Sequence, residues 1–201
     1  MKNNGRLLVF TLLLVVLATT CKFFFGPDLD WSGFSPIFAI ALFAGLIINN
    51  KSKEAGRYSR DISFLVPLLA LFISDVVIHI LYTQNLFDYA GFYDGQVRNY
   101  LILLTATLIG WALKGRSIGS LLVGAIAAPT LFFLLSNFGV WLATGEVVYA
   151  RNFSGLMACY TAAIPFYKNA LVSTLVFLPG ILLSYNYLVK NKAAITLARE
   201  I

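Results

Sequence analysis

Long apolar runs recur along this chain and constrain nearly everything else about it. Leu7–Phe25, Trp31–Ile48, Ile62–Tyr82, Tyr100–Leu113, Ile118–Leu135 and Ala170–Val189 are each dominated by Leu, Ile, Val, Phe and Ala. Several approach or exceed the roughly 18 apolar residues that mark a membrane-spanning helix. Hydrophobic residues make up 59% of the chain and charged residues 12%, against about 25% charged in an ordinary soluble domain. A water-soluble protein could not bury that much apolar surface. The expected fold is therefore an all-α integral membrane protein, a single transmembrane domain over 1–201 with six transmembrane helices.

The net charge of +6 is a matter of topology and not a nucleic-acid signal. Six spans put both termini on one side. Lys2, Arg6, Lys51, Lys53, Arg57, Arg60, Lys114, Arg116, Lys190, Lys192 and Arg199 fall on that side, and Lys22, Arg98, Arg151 and Lys168 on the other, eleven against four. That bias predicts cytoplasmic termini in a bacterial inner membrane, with Asp28, Asp30, Asp88, Asp94 and Glu146 outside. The opening Met1–Cys21 has the basic start and apolar core of a signal peptide, but the apolar run continues through Phe23, Phe24 and Phe25, so a retained first span is expected.

One stretch, Ser136–Asn169, breaks the pattern by interspersing Asn137, Trp141, Glu146, Tyr149, Arg151, Asn152, Tyr160, Lys168 and Asn169 among apolar residues. Phe153–Tyr167 within it is short, holds Pro165 and is flanked by Arg151 and Lys168. As a seventh span it would move Lys190, Lys192 and Arg199 outside. An outer re-entrant or interfacial helix accommodates the same residues, since irregular backbone is tolerated at membrane depth where protein covers it.

Two spans are short. From Pro36, a residue suited to a first helical turn, to Ile48 there is only about 20 Å of helix. Either Trp31–Ser35 descends as non-helical chain or the helix starts below the surface, and with the similarly short fourth span this fits either an outer water-accessible cavity or local thinning of the bilayer. Ala41 and Gly45, and Ser120, Gly124 and Ala128, recur at steps of four that let helices approach closely, chiefly within the bundle.

The third span carries Asp75 and His79, placed i and i+4 on one helix face, where they could pair. A carboxylate at such depth is costly unless paired or wetted, so it either serves a site or ties helices together. Enzymatic chemistry finds little support: Ser74 lies about 140° around the helix from His79, out of nucleophile-to-base reach. His79, Asp75, Cys21 and Cys159 have no close metal-ligand spacing, so no metal or cofactor is expected. Cys21 and Cys159 make no disulfide framework and are expected as buried thiols.

Four blocks, Phe34-Ser-Pro-Ile-Phe-Ala-Ile-Ala-Leu-Phe-Ala-Gly45, Pro67-Leu-Leu-Ala-Leu-Phe-Ile-Ser-Asp75, Ser136-Asn-Phe-Gly-Val-Trp141 and Cys159-Tyr-Thr-Ala-Ala-Ile-Pro-Phe-Tyr-Lys-Asn169, carry a resemblance. They resemble an uncharacterised bacterial membrane family grouped with transport proteins, itself similar to the substrate-binding S components of energy-coupling factor (ECF) vitamin transporters. The resemblance implies an S-component-like bundle of six helices with both ends cytoplasmic. It also implies a vitamin-sized ligand near the outer face, under the loop joining the first two spans. The chain departs from the family pattern at Phe38, where a Gly is usual, and at Ser173 and Thr174, where an acid often follows. Its first span lacks the small-residue face by which S components meet an energising membrane subunit.

These readings converge on a small-solute uptake transporter or substrate-binding subunit, with a non-transporting scaffold or assembly factor as the alternative. The expected substrate-binding residues are Asp75, His79, Asn137, Lys168 and Asn169, with Trp31, Trp141 and Tyr160 as apolar walls of one outer pocket. The expected partners are the solute, the lipid bilayer and, by resemblance, an energising subunit. An interfacial belt of aromatics with a snorkelling Lys168 would account for the same residues.

Overall fold

A computed structural model describes residues 2–26, 30–50, 57–115, 117–188 and 195. Among them there are six α-helices and no strand: α1 (Lys2–Phe24), α2 (Ile37–Asn50), α3 (Arg57–Thr83), α4 (Gln96–Leu113), α5 (Ile118–Thr144) and α6 (Phe153–Leu188). A single 3₁₀ turn, Gly145–Val147, follows α5. Two apolar helical segments, Ile118–Val147 and Phe153–Leu188, are long enough to cross a membrane, whereas Val9–Phe24, Ile37–Ile47 and Leu68–Thr83 are shorter. Of the basic residues expected on the inner side, Lys51, Lys53, Arg116, Lys190, Lys192 and Arg199 lie outside the described residues, as does Asp28 on the other side.

The core is built around α2, which packs against α3, α4, α5 and α6. Every residue from Ile37 to Ile47 is buried, as expected of a helix that is apolar on all faces. Its contact with α4 is backbone against backbone. A Cβ added at Gly45 would overlap the Thr107 carbonyl, and one at Gly110 would overlap the carbonyl of Leu42. The small residues of α5 serve the same bundle: Gly124 lies against Leu113 and Leu42, and Ala128 is fully buried. Close approach at small residues thus joins helices of one chain.

The helix limits correct one expectation. Phe153–Tyr167 is not a separate re-entrant or interfacial helix, for it runs without a break into the final apolar segment as a single helix of 36 residues containing Pro165 and Pro179. At 1.5 Å per residue α6 is about 54 Å long. Proline removes one backbone donor and neighbouring packing can hold the helix together across it. Here α5, which continues past Leu135 to Thr144, lies antiparallel to that first half. Thr130 and Tyr167 bond through their hydroxyls at 2.8 Å, and the rings of Phe133 and Tyr167 stack at 4.7 Å.

At the far end of the bundle α1 begins and α6 finishes side by side, with the rings of Phe10 and Tyr185 5.5 Å apart. At the opposite end, called here the mouth, α1 and α3 finish while α2 and α4 start. A non-helical segment precedes the short α2. Residues 30–36 are non-helical and are fastened to the middle of α6, where the Asn169 amide donates to the carbonyls of Asp30 and Ser32, both at 2.9 Å. Gly33 has φ of 85°, and a Cβ there would stand 3.1 Å from the Phe166 carbonyl, so left-handed backbone and close seating on α6 both call for glycine.

Candidate functional site: a buried ion pair in the wall of a mouth-end cavity

A cavity of about 660 Å³ lies at the mouth. Its walls come from the ends of α1 (Cys21, Lys22), α2 (Ile37, Phe38), α3 (Leu71, Asp75) and α4 (Asn99, Tyr100, Leu103), with Phe132 of α5 at the back. Its roof comes from two loops, through Phe25–Gly26, Ser32–Ser35 and Tyr89–Tyr93. The second loop is seated as tightly as the first. A Cβ on Gly91 would overlap the Asp75 carbonyl, and the Tyr89 hydroxyl donates to the Lys22 carbonyl at 3.1 Å. Aromatic and aliphatic surface predominates, with a few polar groups, the usual make-up of a small-molecule site.

Those polar groups are gathered on Asp75, which is completely buried. One carboxylate oxygen, Oδ1, forms an ion pair with the Lys22 ammonium. The other, Oδ2, accepts from the Gln96 amide and from the Tyr100 hydroxyl. Gln96 is held in turn: its amide nitrogen is 2.8 Å from the Tyr100 oxygen and 3.2 Å from the Gly91 carbonyl, while its own carbonyl accepts from the Tyr93 backbone N–H at 3.1 Å. Three helices and one loop thus meet on a single carboxylate. An isolated charge at such depth would be prohibitively costly, and the pair is tolerable because each carboxylate oxygen has a partner.

Of the eight expected site residues, Asp75 alone lines the cavity. His79 does not pair with it. Successive i and i+4 side chains sit about 40° apart around a helix, and Asp75 faces α1 and α4, whereas the His79 ring packs 5.3 Å from Phe92 and 6.3 Å from Tyr82. Its buried Nδ1 has no hydrogen-bond partner among the described residues. Asn169 is buried and holds the roof from behind without touching the cavity. Trp31 is 54% exposed and meets Phe34 edge-on at 5.6 Å, outside the lining.

The other four sit on the α5–α6 hairpin and do not converge with Asp75. Asn137 donates to the Phe133 carbonyl of its own helix at 2.8 Å. The Trp141 indole donates to the Ala150 carbonyl at 3.0 Å beneath the Arg151 guanidinium, 5.6 Å from the ring centre. Tyr160 donates to the Leu134 carbonyl at 2.9 Å, and Lys168 is exposed. The reason is the continuous α6: it stands these residues along α5 instead of folding them over the mouth.

Lys22, Gln96 and Tyr100 were not among the expected site residues. Lys22 carried the strongest signal, being the one charge in Leu7–Phe25, and a cation inside an apolar run is a functional candidate with a partner to be named. Gln96 falls before the expected start of the fourth span and had no such signal. Cys21 and Cys159 are both free and buried. Among the described residues no three His, Cys, Asp or Glu side chains gather as metal ligands.

No curated protein and no solved structure matches this chain. Residues 1–196 match the profile of DUF6580, described as a family of unknown function, and the chain belongs to that family.

Proposed function

We propose that this chain is an integral protein of the bacterial cytoplasmic membrane, spanning it six times with both termini inside, and that it binds a small solute in the mouth-end cavity as an uptake transporter or its substrate-binding subunit. The observation that carries the proposal is the cavity itself. Its volume of about 660 Å³ falls within the roughly 300–1,000 Å³ of small-molecule sites, and a charge cluster in which each carboxylate oxygen of Asp75 has a partner stands in its wall. The neighbouring starts and ends of α1 and α6 agree with the topology drawn from the charge bias. The likeness to S components, in which the ligand lies under the loop joining the first two spans, points to the same place.

Native mass spectrometry of gently extracted protein tests this directly. A stoichiometric small molecule, lost when Phe38→Trp fills the cavity, is the expected result. Protein that carries no adduct and yields full membrane insertion would instead favour a scaffold or assembly role. The observation on that side is the exposed apolar turn of the α5–α6 hairpin, where Val147, Val148 and Phe153 are 94%, 60% and 75% exposed.

A further inference from the structure

We infer that the solute bound in this cavity is an uncharged ring compound that presents a hydrogen-bond acceptor, a carbonyl or ring nitrogen, to the Lys22 ammonium. This rests on the solute-binding reading above and specifies its chemistry. The argument begins with charge. Among the described residues, Lys22 and Asp75 are the charged side chains that line the cavity, and they neutralise each other. An anionic ligand could be compensated only by drawing Lys22 away from Asp75, and a cationic one only by drawing Asp75 from Lys22. Either exchange leaves one charge unpaired in an apolar enclosure, the costliest arrangement available.

The ammonium nevertheless has capacity to spare. An ammonium offers three donors, and the Asp75 carboxylate is the one side-chain partner it has among the described residues. The Lys22 side chain is 26% exposed, whereas Asp75 is fully buried. Lys22 is therefore the member of the pair that faces a ligand first, with Asp75 in the wall behind it. Part of the remaining wall is aromatic: Phe34, Phe38 and Phe132 line it, with Phe38 and Phe132 meeting at 5.0 Å. Aliphatic Ile37, Leu71 and Leu103 complete the wall, and the aromatic faces in it favour a flat ring held by offset or edge contacts.

Three probes of nearly one shape and different charge test this: indole-3-acetamide, indole-3-acetate and tryptamine, scored by thermal stabilisation of the detergent-solubilised full chain. A ligand that binds only the folded state raises its melting temperature. The amide is expected to bind at least about tenfold more tightly than either charged analogue. Asp75→Asn keeps the shape of the residue while leaving Lys22 an uncompensated cation, so in that variant the preference should invert towards indole-3-acetate, an outcome that simple loss of packing would not produce. Should Asp75→Asn prove too unstable to melt cooperatively, Lys22→Gln combined with Asp75→Asn is expected to bind the amide and reject both ions. Tighter binding of a charged probe by the natural chain, or a charged co-purified molecule, overturns the inference and leaves the solute-binding reading standing. No stabilisation by any probe, together with no adduct in native mass spectra, overturns both.

Discussion

The mouth-end cluster and the α5–α6 hairpin both set polar side chains among apolar ones, yet they handle them in opposite ways. On the hairpin many polar groups are satisfied close at hand: Asn137 by Phe133, Thr144 by Val140 and Thr161 by Met157, all four residues back on the same helix. At the mouth, Asp75 draws its partners from positions 22, 96 and 100, on two other helices. Local bonds satisfy a helix wherever it lies, so they carry no information about the fold. Long-range bonds to a buried charge exist only if the helices are assembled. A charged residue buried in an apolar chain therefore points to a site when its partners lie on other helices.

The largest effect expected from this contrast follows the removal of Lys22. Lys22→Met leaves the buried Asp75 carboxylate without its counter-charge, a loss of about 3–5 kcal/mol for breaking a buried pair. Thermal melts in detergent should show it. Lys22→Met with Asp75→Asn should recover most of the loss, because two neutral groups replace one stranded ion. A double variant no more stable than Lys22→Met would mean that the pair is not what joins α1 to α3.

A smaller loss is expected at Asn169, where alanine would leave two roof carbonyls without their donor, at about 1–3 kcal/mol. Hydrogen exchange should increase in residues 30–35, and solute affinity should drop although Asn169 does not touch the cavity. Unchanged exchange there would show that Gly33 seats the loop unaided. Smallest of all, Asn137→Ala and Trp141→Ala should each cost within about 1 kcal/mol, in the range of a single ordinary hydrogen bond, with solute binding unaltered. Loss of binding in both would bring the hairpin back into the site and erase the contrast.

Apolar run lengths made the helix count legible, since a run must be buried or sit in lipid whatever its neighbours do. The small residues at 41, 45, 124 and 128 were equally legible, and they pack where that spacing implies. The continuity of α6 was not. Pro165, Lys168 and Asn169 read as a break, and only α5 alongside and the roof loop beneath Asn169 explain why the helix passes through them. The site was legible in part: Asp75 stood out as a charge in an apolar run, but its partners depended on which helices meet. The i and i+4 spacing to His79 offered a nearer partner that the bundle does not use.

Gly33 and Gly91 have a mechanical consequence. Each presses a roof loop onto a different helix, the first onto α6 at Phe166 and the second onto α3 at Asp75. The described parts of the roof therefore ride on two different helices, both packed against α2. On the proposed function, admission of a solute is expected to change the spacing of α3 and α6, which a pair of distance labels on those helices would follow and a label confined to the loops would miss.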